Sequence, residues 1–183
     1  MEVKSLKYAS EEENILQVVL SDGASLSVPW PCYTWHNQEI QEAIDSGMVI
    51  QPFKTEEELL AAAKEKIWVE IEAERDKRTH TGGYKCTTSD GVSKWFHSDS
   101  FSRTQQIALA QLCDSLPADL QWKTMDGSFV TMTKELANLI VACAALSDQA
   151  IFDVAEQHKV NAFKLADPAT YDYSGGWPKV FGE

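Results

Sequence analysis

The chain has 183 residues, a hydrophobic fraction of 44% and a formal net charge of −12. That length suits one domain, or one domain with a small appendage, and the hydrophobic fraction supplies an ordinary globular core. The acidic balance excludes a nucleic-acid-binding surface, which needs a basic patch to displace counterions from phosphate.

Met1-Glu-Val-Lys-Ser-Leu-Lys7 lacks the apolar stretch of a signal peptide. No unbroken run of about eighteen apolar residues occurs, so no membrane insertion is expected. Ile15 to Leu20 and Ala24 to Val28 read as a hairpin around Ser21-Asp-Gly23. Pro29 and Pro31 flank Trp30 and end the second strand, because proline donates nothing to a sheet ladder. Trp35 to Ser46 predicts a short helix with Ile40 and Ile44 on one face and Gly47 just beyond its C-cap. Val49 to Phe53 adds a brief strand. Residues 1–53 are thus expected to form a small ββα docking unit.

Thr55 with Glu58 three residues on is a capping-box pattern, and the helix it opens should run to about Arg78. Leu60, Ala63, Ile67 and Ile71 form its apolar stripe, and Glu74 can pair with Arg78 on the exposed side. Thr81-Gly-Gly83 ends it. Tyr84 to Thr87 and Val92 to His97 predict a second hairpin around Ser89-Asp-Gly91, followed by a helix over Ser100 to Leu116. Phe101, Ala108, Leu109, Leu112 and Leu116 are expected to face inward there, and Pro117 stops the helix. Gln121 to Met125 and Ser128 to Met132 form a third hairpin, whose Asp126-Gly127 pair suits a type I′ turn. Thr133 reads as the N-cap of a long helix from Lys134 to about Phe163, striped by Leu136, Leu139, Ile140, Cys143, Ala150, Ile151 and Val154. The expected fold class is α+β, with small antiparallel β-hairpins packed on a three-helix bundle over 54–165. An irregular tail, 166–183, carries Pro168, Gly175, Gly176, Trp177 and Pro178.

Chemistry is sparse along this order. Cys32-Tyr-Thr-Trp-His36 has a spacing that could supply half a zinc site, but no second pair of ligands matches it. Cys86 and His97 lie on the two arms of one predicted hairpin, and with Asp99 they are the best available nucleophile triad, whose geometry sequence alone does not show. Asp90 and Asp126 both sit beside glycine in turns, where aspartate is expected for backbone reasons rather than as paired catalytic acids. Glycine-rich phosphate loops and dinucleotide fingerprints are missing. No enzyme activity, cofactor or metal is therefore expected. The four cysteines, Cys32, Cys86, Cys113 and Cys143, form no CxxC pair, and Cys113 and Cys143 fall in apolar helical patterns as small core residues. Folding in a reducing cytoplasm follows.

Tryptophans remain. Trp30, Trp35, Trp95, Trp122 and Trp177 lie in turns, hairpins or the tail. Trp95 and Trp122 read as sheet-to-helix packing. Trp30 and Trp177 neighbour prolines in segments with no core of their own, so they, with Trp35, His36 and Pro178, are the candidate partner contacts. Replacing Trp30 or Trp177 should weaken association more than folding.

Trp122-Lys-Thr-Met-Asp-Gly-Ser-Phe-Val-Thr-Met-Thr133, with Trp95-Phe-His-Ser-Asp99, Ser102-Arg-Thr-Gln-Gln106, Ser147-Asp-Gln-Ala-Ile-Phe152, Ala166 to Tyr173 and Gly176-Trp-Pro178, carries a family resemblance. These segments, over about residues 56–178, resemble an uncharacterised domain family that recurs in tail-fibre and tail-assembly proteins of bacteriophages and prophages. The front segment, Leu26 to Pro31 with Thr34-Trp-His-Asn37 and Ile40 to Ile44, resembles the leading part of small phage tail proteins. The resemblance implies a setting and no reaction. It implies a virion tail protein, folded in the host bacterial cytoplasm, that contacts other phage tail proteins of the fibre or baseplate. The alternatives are a tail-fibre assembly chaperone and a wall- or receptor-degrading enzyme. A homo-oligomer, trimeric if fibre-associated, is natural for a cyclic assembly.

Overall fold

The computed structural model describes residues 2–31, 36–88 and 91–183, apart from the side chain of Cys113. The chain divides into two compact units, Met1–Ala62 and Ala63–Glu183.

The first unit holds strands β1 (Val3–Tyr8), β2 (Ile15–Leu20), β3 (Ser25–Pro29) and β4 (Ile50–Gln51), with helix α1 (His36–Asp45) between β3 and β4. The four strands make one sheet in the order β3-β2-β1-β4, antiparallel except for the parallel β1–β4 pair. The expected ββα unit is therefore corrected to a mixed four-stranded sheet with one helix. Sequence reading missed β1 because only Leu6 of its six residues is buried, which leaves no alternating pattern to see. The strand forms because β2 and β4 satisfy its backbone on both edges, a long-range cause. Leu6, Leu16, Val18, Val28 and Ile40 make the core, and Gly47 lies beyond the helix end with φ +100°, as its place in the sequence requires.

In the second unit, helix α2 (Glu56–Thr81) enters from the first unit. Its capping box is present: Thr55 N–H donates to Glu58 at 2.8 Å and Glu58 N–H to the Thr55 hydroxyl at 3.1 Å. Strands β5 (Tyr84–Thr87) and β6 (Ser93–Phe96), helix α3 (Ser100–Leu112), strands β7 (Gln121–Lys123) and β8 (Phe129–Thr131), and helix α4 (Lys134–Ala162) follow. Thr133 caps α4 through Leu136 N–H at 3.2 Å.

The two hairpins are tied to each other, since Met125 N–H donates to the Trp95 carbonyl at 2.9 Å. The Asp126-Gly127 turn differs from the expected type I′. Gly127 has φ +81°, but Asp126 has no positive φ. Gly127 N–H bonds to Thr124 O, and Thr124 N–H to Ser128 O, at 3.0 and 2.9 Å. This is a three-residue loop closed by a glycine bulge. Leu20–Ala24 and Thr88–Val92 show the same pair of bonds.

Asp126 works instead through its side chain. Its carboxylate accepts from the Ser128 hydroxyl at 2.6 Å, the Thr124 hydroxyl at 2.6 Å and the Lys94 ammonium at 2.9 Å. These bonds, those of Ser128 and Thr124 first, hold its carboxyl well below the usual carboxylate range. A carboxyl depressed by folding stabilises above the unfolded-state value and loses that contribution as pH falls through the folded one. Asp126→Asn should therefore lower Tm at neutral pH, and the gap to wild type should narrow as the pH is taken below about 4. Thermal melts across pH check this; a gap that widens in acid would contradict it.

The expected single three-helix bundle is also corrected. α4, 29 residues long, spans about 43 Å and serves two separate cores. Its first half packs Leu136, Ala137, Ile140 and Ala144 against Tyr84, Cys86, Phe96 and Met132, with Leu109 and Ala110 of α3 alongside. Its second half packs Ala155 and Ala162 against Ile67 and Ile71 of α2. α3, only 13 residues long, is too short to reach the second core. Of the expected α4 stripe, Leu136, Ile140 and Ile151 are buried and Ala150 is exposed, and Ala137, Ala144, Ala155, His158 and Ala162 complete the buried line.

Candidate interaction site

Of the residues expected to face inward from the α3 region, Leu109 and Leu116 pack on the first core, but the other three do not. Phe101 is 71% exposed, Leu112 is 45% exposed, and Ala108 also faces solvent. The inward positions are taken by Arg103 and the fully buried Gln106. A polar network explains this orientation. Asp99 caps the helix, accepting from Ser102 N–H and its hydroxyl at 2.9 and 2.7 Å. The Arg103 guanidinium is bidentate to Asp148 of α4 at 2.6 and 2.7 Å. It also donates to the carbonyls of Ser98 at 2.7 Å and Thr79 at 3.3 Å. One planar fork thereby ties the end of α2, the β6–α3 junction and α4.

Gln106 completes the network. Its amide donates to the His97 carbonyl at 3.0 Å and its oxygen accepts from the Tyr84 hydroxyl at 2.6 Å. Burial pushes the Tyr84 phenol above its ordinary range, while the positive charge of Arg103 opposes that shift. A buried glutamine satisfied on both its ends fixes α3 in one rotation, since any other would leave polar atoms unpaired in the core. Turning these groups inward turns Phe101, Ala108 and Leu112 outward. Between the helices lies a groove of about 190 Å³, lined by Gln106, Ile107, Val141, Ala144 and Ala145 and floored by the Arg103–Asp148 pair.

The tail is a second ordered feature, not the coreless segment expected. Tyr171, Tyr173 and Trp177 pack against the α2–α4 core. The Trp177 indole N–H donates to Tyr173 O at 2.7 Å, and its ring lies 5.1 Å from that of His158. His158 Nε2–H donates to the Gly175 carbonyl at 2.9 Å, and Nδ1 hydrogen-bonds with the Tyr171 hydroxyl at 2.8 Å. The expected Glu74–Arg78 pair forms at 2.7 Å, but Arg78 is not on an exposed face. Its guanidinium lies over Trp177 and donates to Pro178 O at 3.1 Å and to the Glu183 carboxylate at 3.0 Å. Gly82 admits this strap, because a Cβ there would clash with Val180.

The remaining sequence-derived positions separate cleanly. Trp30 is half-buried against the front core, and His36 is half-buried at the start of α1. Trp35, with Cys32 and so the proposed zinc half-site, lies outside the described residues. Trp95 meets Phe181 edge-on at 6.1 Å, and Trp122 packs on the first core of α4. Cys86 is not brought to His97. Its thiol neighbours Cys143, and burial first, then that neighbour, push it up to about 12, the opposite of an activated nucleophile. The exposed face of α3 was misread in the sequence, because apolar spacing ranked Phe101 and Leu112 above Arg103 and Gln106. The signal available was Arg103 and Gln106 at i,i+3, with Asp148 as the partner.

A family model described as a domain of unknown function (DUF4376) matches residues 62–175, from within α2 to the tail and short of Trp177. No curated protein and no solved structure matches the chain.

Proposed function

The chain belongs to the DUF4376 family of domains of unknown function, and with the phage-tail setting that its motifs resemble, we propose that it is a structural component of a bacteriophage tail. It is associated with fibres or baseplate, works by protein–protein contact and turns over no substrate. One observation carries the reading: the polar network that orders α3 leaves its apolar residues, Phe101, Ala108 and Leu112, facing solvent. Exposed apolar side chains grouped on one helix mark a contact surface. Burial of the Cys86 thiol against Cys143 argues against the one cysteine nucleophile the sequence offered. The protein folds in the host bacterial cytoplasm and finishes in the virion tail.

The same apolar helix on an acidic chain also suits a tail-fibre assembly chaperone, which would cover fibre surface until assembly is complete. Quantitative mass spectrometry of purified particles, scaled to a capsid protein, separates the two. A fixed copy number in mature virions is the expected result. Recovery only from infected-cell lysate, bound to unfinished fibres, would replace this reading with the chaperone.

A further inference from the structure

We propose that the outer face of α4, with the flank of α3 beside it, binds a second copy of this chain about a two-fold axis, in an antiparallel helix pairing centred on Ala145. The proposal rests on reading the α3–α4 surface as a contact surface, and it names the partner. Three features support it.

The first is charge. Leu136–Ser147 holds no charged residue on any face of α4, and α3 holds only Arg103, which points inward to Asp148. On a chain of net charge −12, this is where two copies can approach without like-charge repulsion. A basic partner would call for acidic residues on this face.

The second is spacing. Lys134, Asn138, Ala142, Ala145, Gln149, Phe152 and Glu156 follow one another three or four residues apart, so they form one line along α4. All are exposed except Lys134, which is half-buried. A two-fold axis at Ala145 maps Lys134 onto the level of Glu156, and Asn138 onto that of Phe152. Opposite charges therefore meet at both ends, and the small alanines meet where the helices cross. Lys134 already pairs with Asp114 at 2.8 Å, so its charge is shared at that rim. Such rim pairs contribute little affinity but set register and direction.

The third is burial. By length and composition alone α4 would pass for a membrane-spanning helix, yet only 22% of its most apolar stretch is buried within this chain. A helix apolar on more than one face needs more than one apolar neighbour. The line from Lys134 to Glu156 runs about 33 Å, and a contact of that length and one to two helices wide buries about 1,000 Å² in total. That is the low end for a specific interface, so the dimer should be concentration-dependent.

Sedimentation equilibrium of the full chain from micromolar to millimolar concentration provides the test. The expected mass rises from one to two copies. Ala145→Glu places two carboxylates at the axis and should weaken dimerisation at least about tenfold. Its Tm should stay near wild type, because Ala145 is exposed. Ala145→Lys should be equally monomeric, and mixing it with Ala145→Glu should restore the dimer. Ala142→Glu serves the same purpose if a charge at Ala145 impairs folding. A monomer at every concentration, a trimeric mass, a dimer unaffected by these charges, or sedimentation only with lipid vesicles would each overturn the proposal. Such a failure leaves the tail reading standing if the virion copy number is fixed. A dimer that never enters virions would sink the tail reading alone.

Discussion

Arg103→Ala should lower unfolding free energy by about 2–4 kcal/mol, measured by urea denaturation. Removing one member of a buried pair costs about 3–5 kcal/mol, because the partner charge is left uncompensated. The lower range applies because the side chains of Arg103 and Asp148 remain 24% and 32% exposed, so water recovers part of the loss. The carbonyls of Ser98 and Thr79 lose donors in the same substitution. Arg103→Lys should rescue only part, because an ammonium cannot reproduce the bidentate fork. Phe101→Ala, by contrast, should change stability by less than about 0.5 kcal/mol, since the ring faces solvent. A reversed order, with Phe101 costly and Arg103 neutral, would mean that α3 sits in the rotation its apolar spacing suggests.

Trp177→Ala should cost about 2–3 kcal/mol and lower Tm by roughly 4–12 °C, as followed by thermal denaturation. Truncating a core tryptophan costs about 3–5 kcal/mol, and the half-buried position of Trp177 moves the expectation below that range. The loss removes the ring that Arg78 and His158 both pack against, so the strap from Tyr171 to Glu183 should loosen with it. An unchanged Tm combined with weakened association would restore Trp177 as a partner contact, as its sequence setting suggested.

These two expectations mark the limit of what could be read along the chain. Thr133, the Thr55–Glu58 capping box, Gly47 and the placing of turns at Asp22-Gly23 and Asp126-Gly127 were legible, though not the turn type, because each works within a few residues of itself. Strand β1 was not, because its partners lie in β2 and β4 and its apolar residues, Val3, Leu6 and Tyr8, do not alternate regularly. The packing of Trp177 was hidden in the same way, since α2 and α4 supply its surroundings.

For the site, the residue order supplied the parts: an acidic chain, a short helix whose one charge is Arg103, an uncharged stretch over Leu136–Ser147 of α4, and Asp148 to receive the arginine. The direction in which α3 faces was set by contacts distant in the chain. Local spacing favours burying Phe101 and Leu112, worth a few kcal/mol in transfer free energy. Arg103, Gln106, Tyr84 and Asp148 satisfy one another in a single arrangement drawn from separate elements. Leaving such groups unpaired would cost more than exposing two apolar side chains. The polar groups therefore took the interior, and the apolar residues they displaced became the surface that this protein presents.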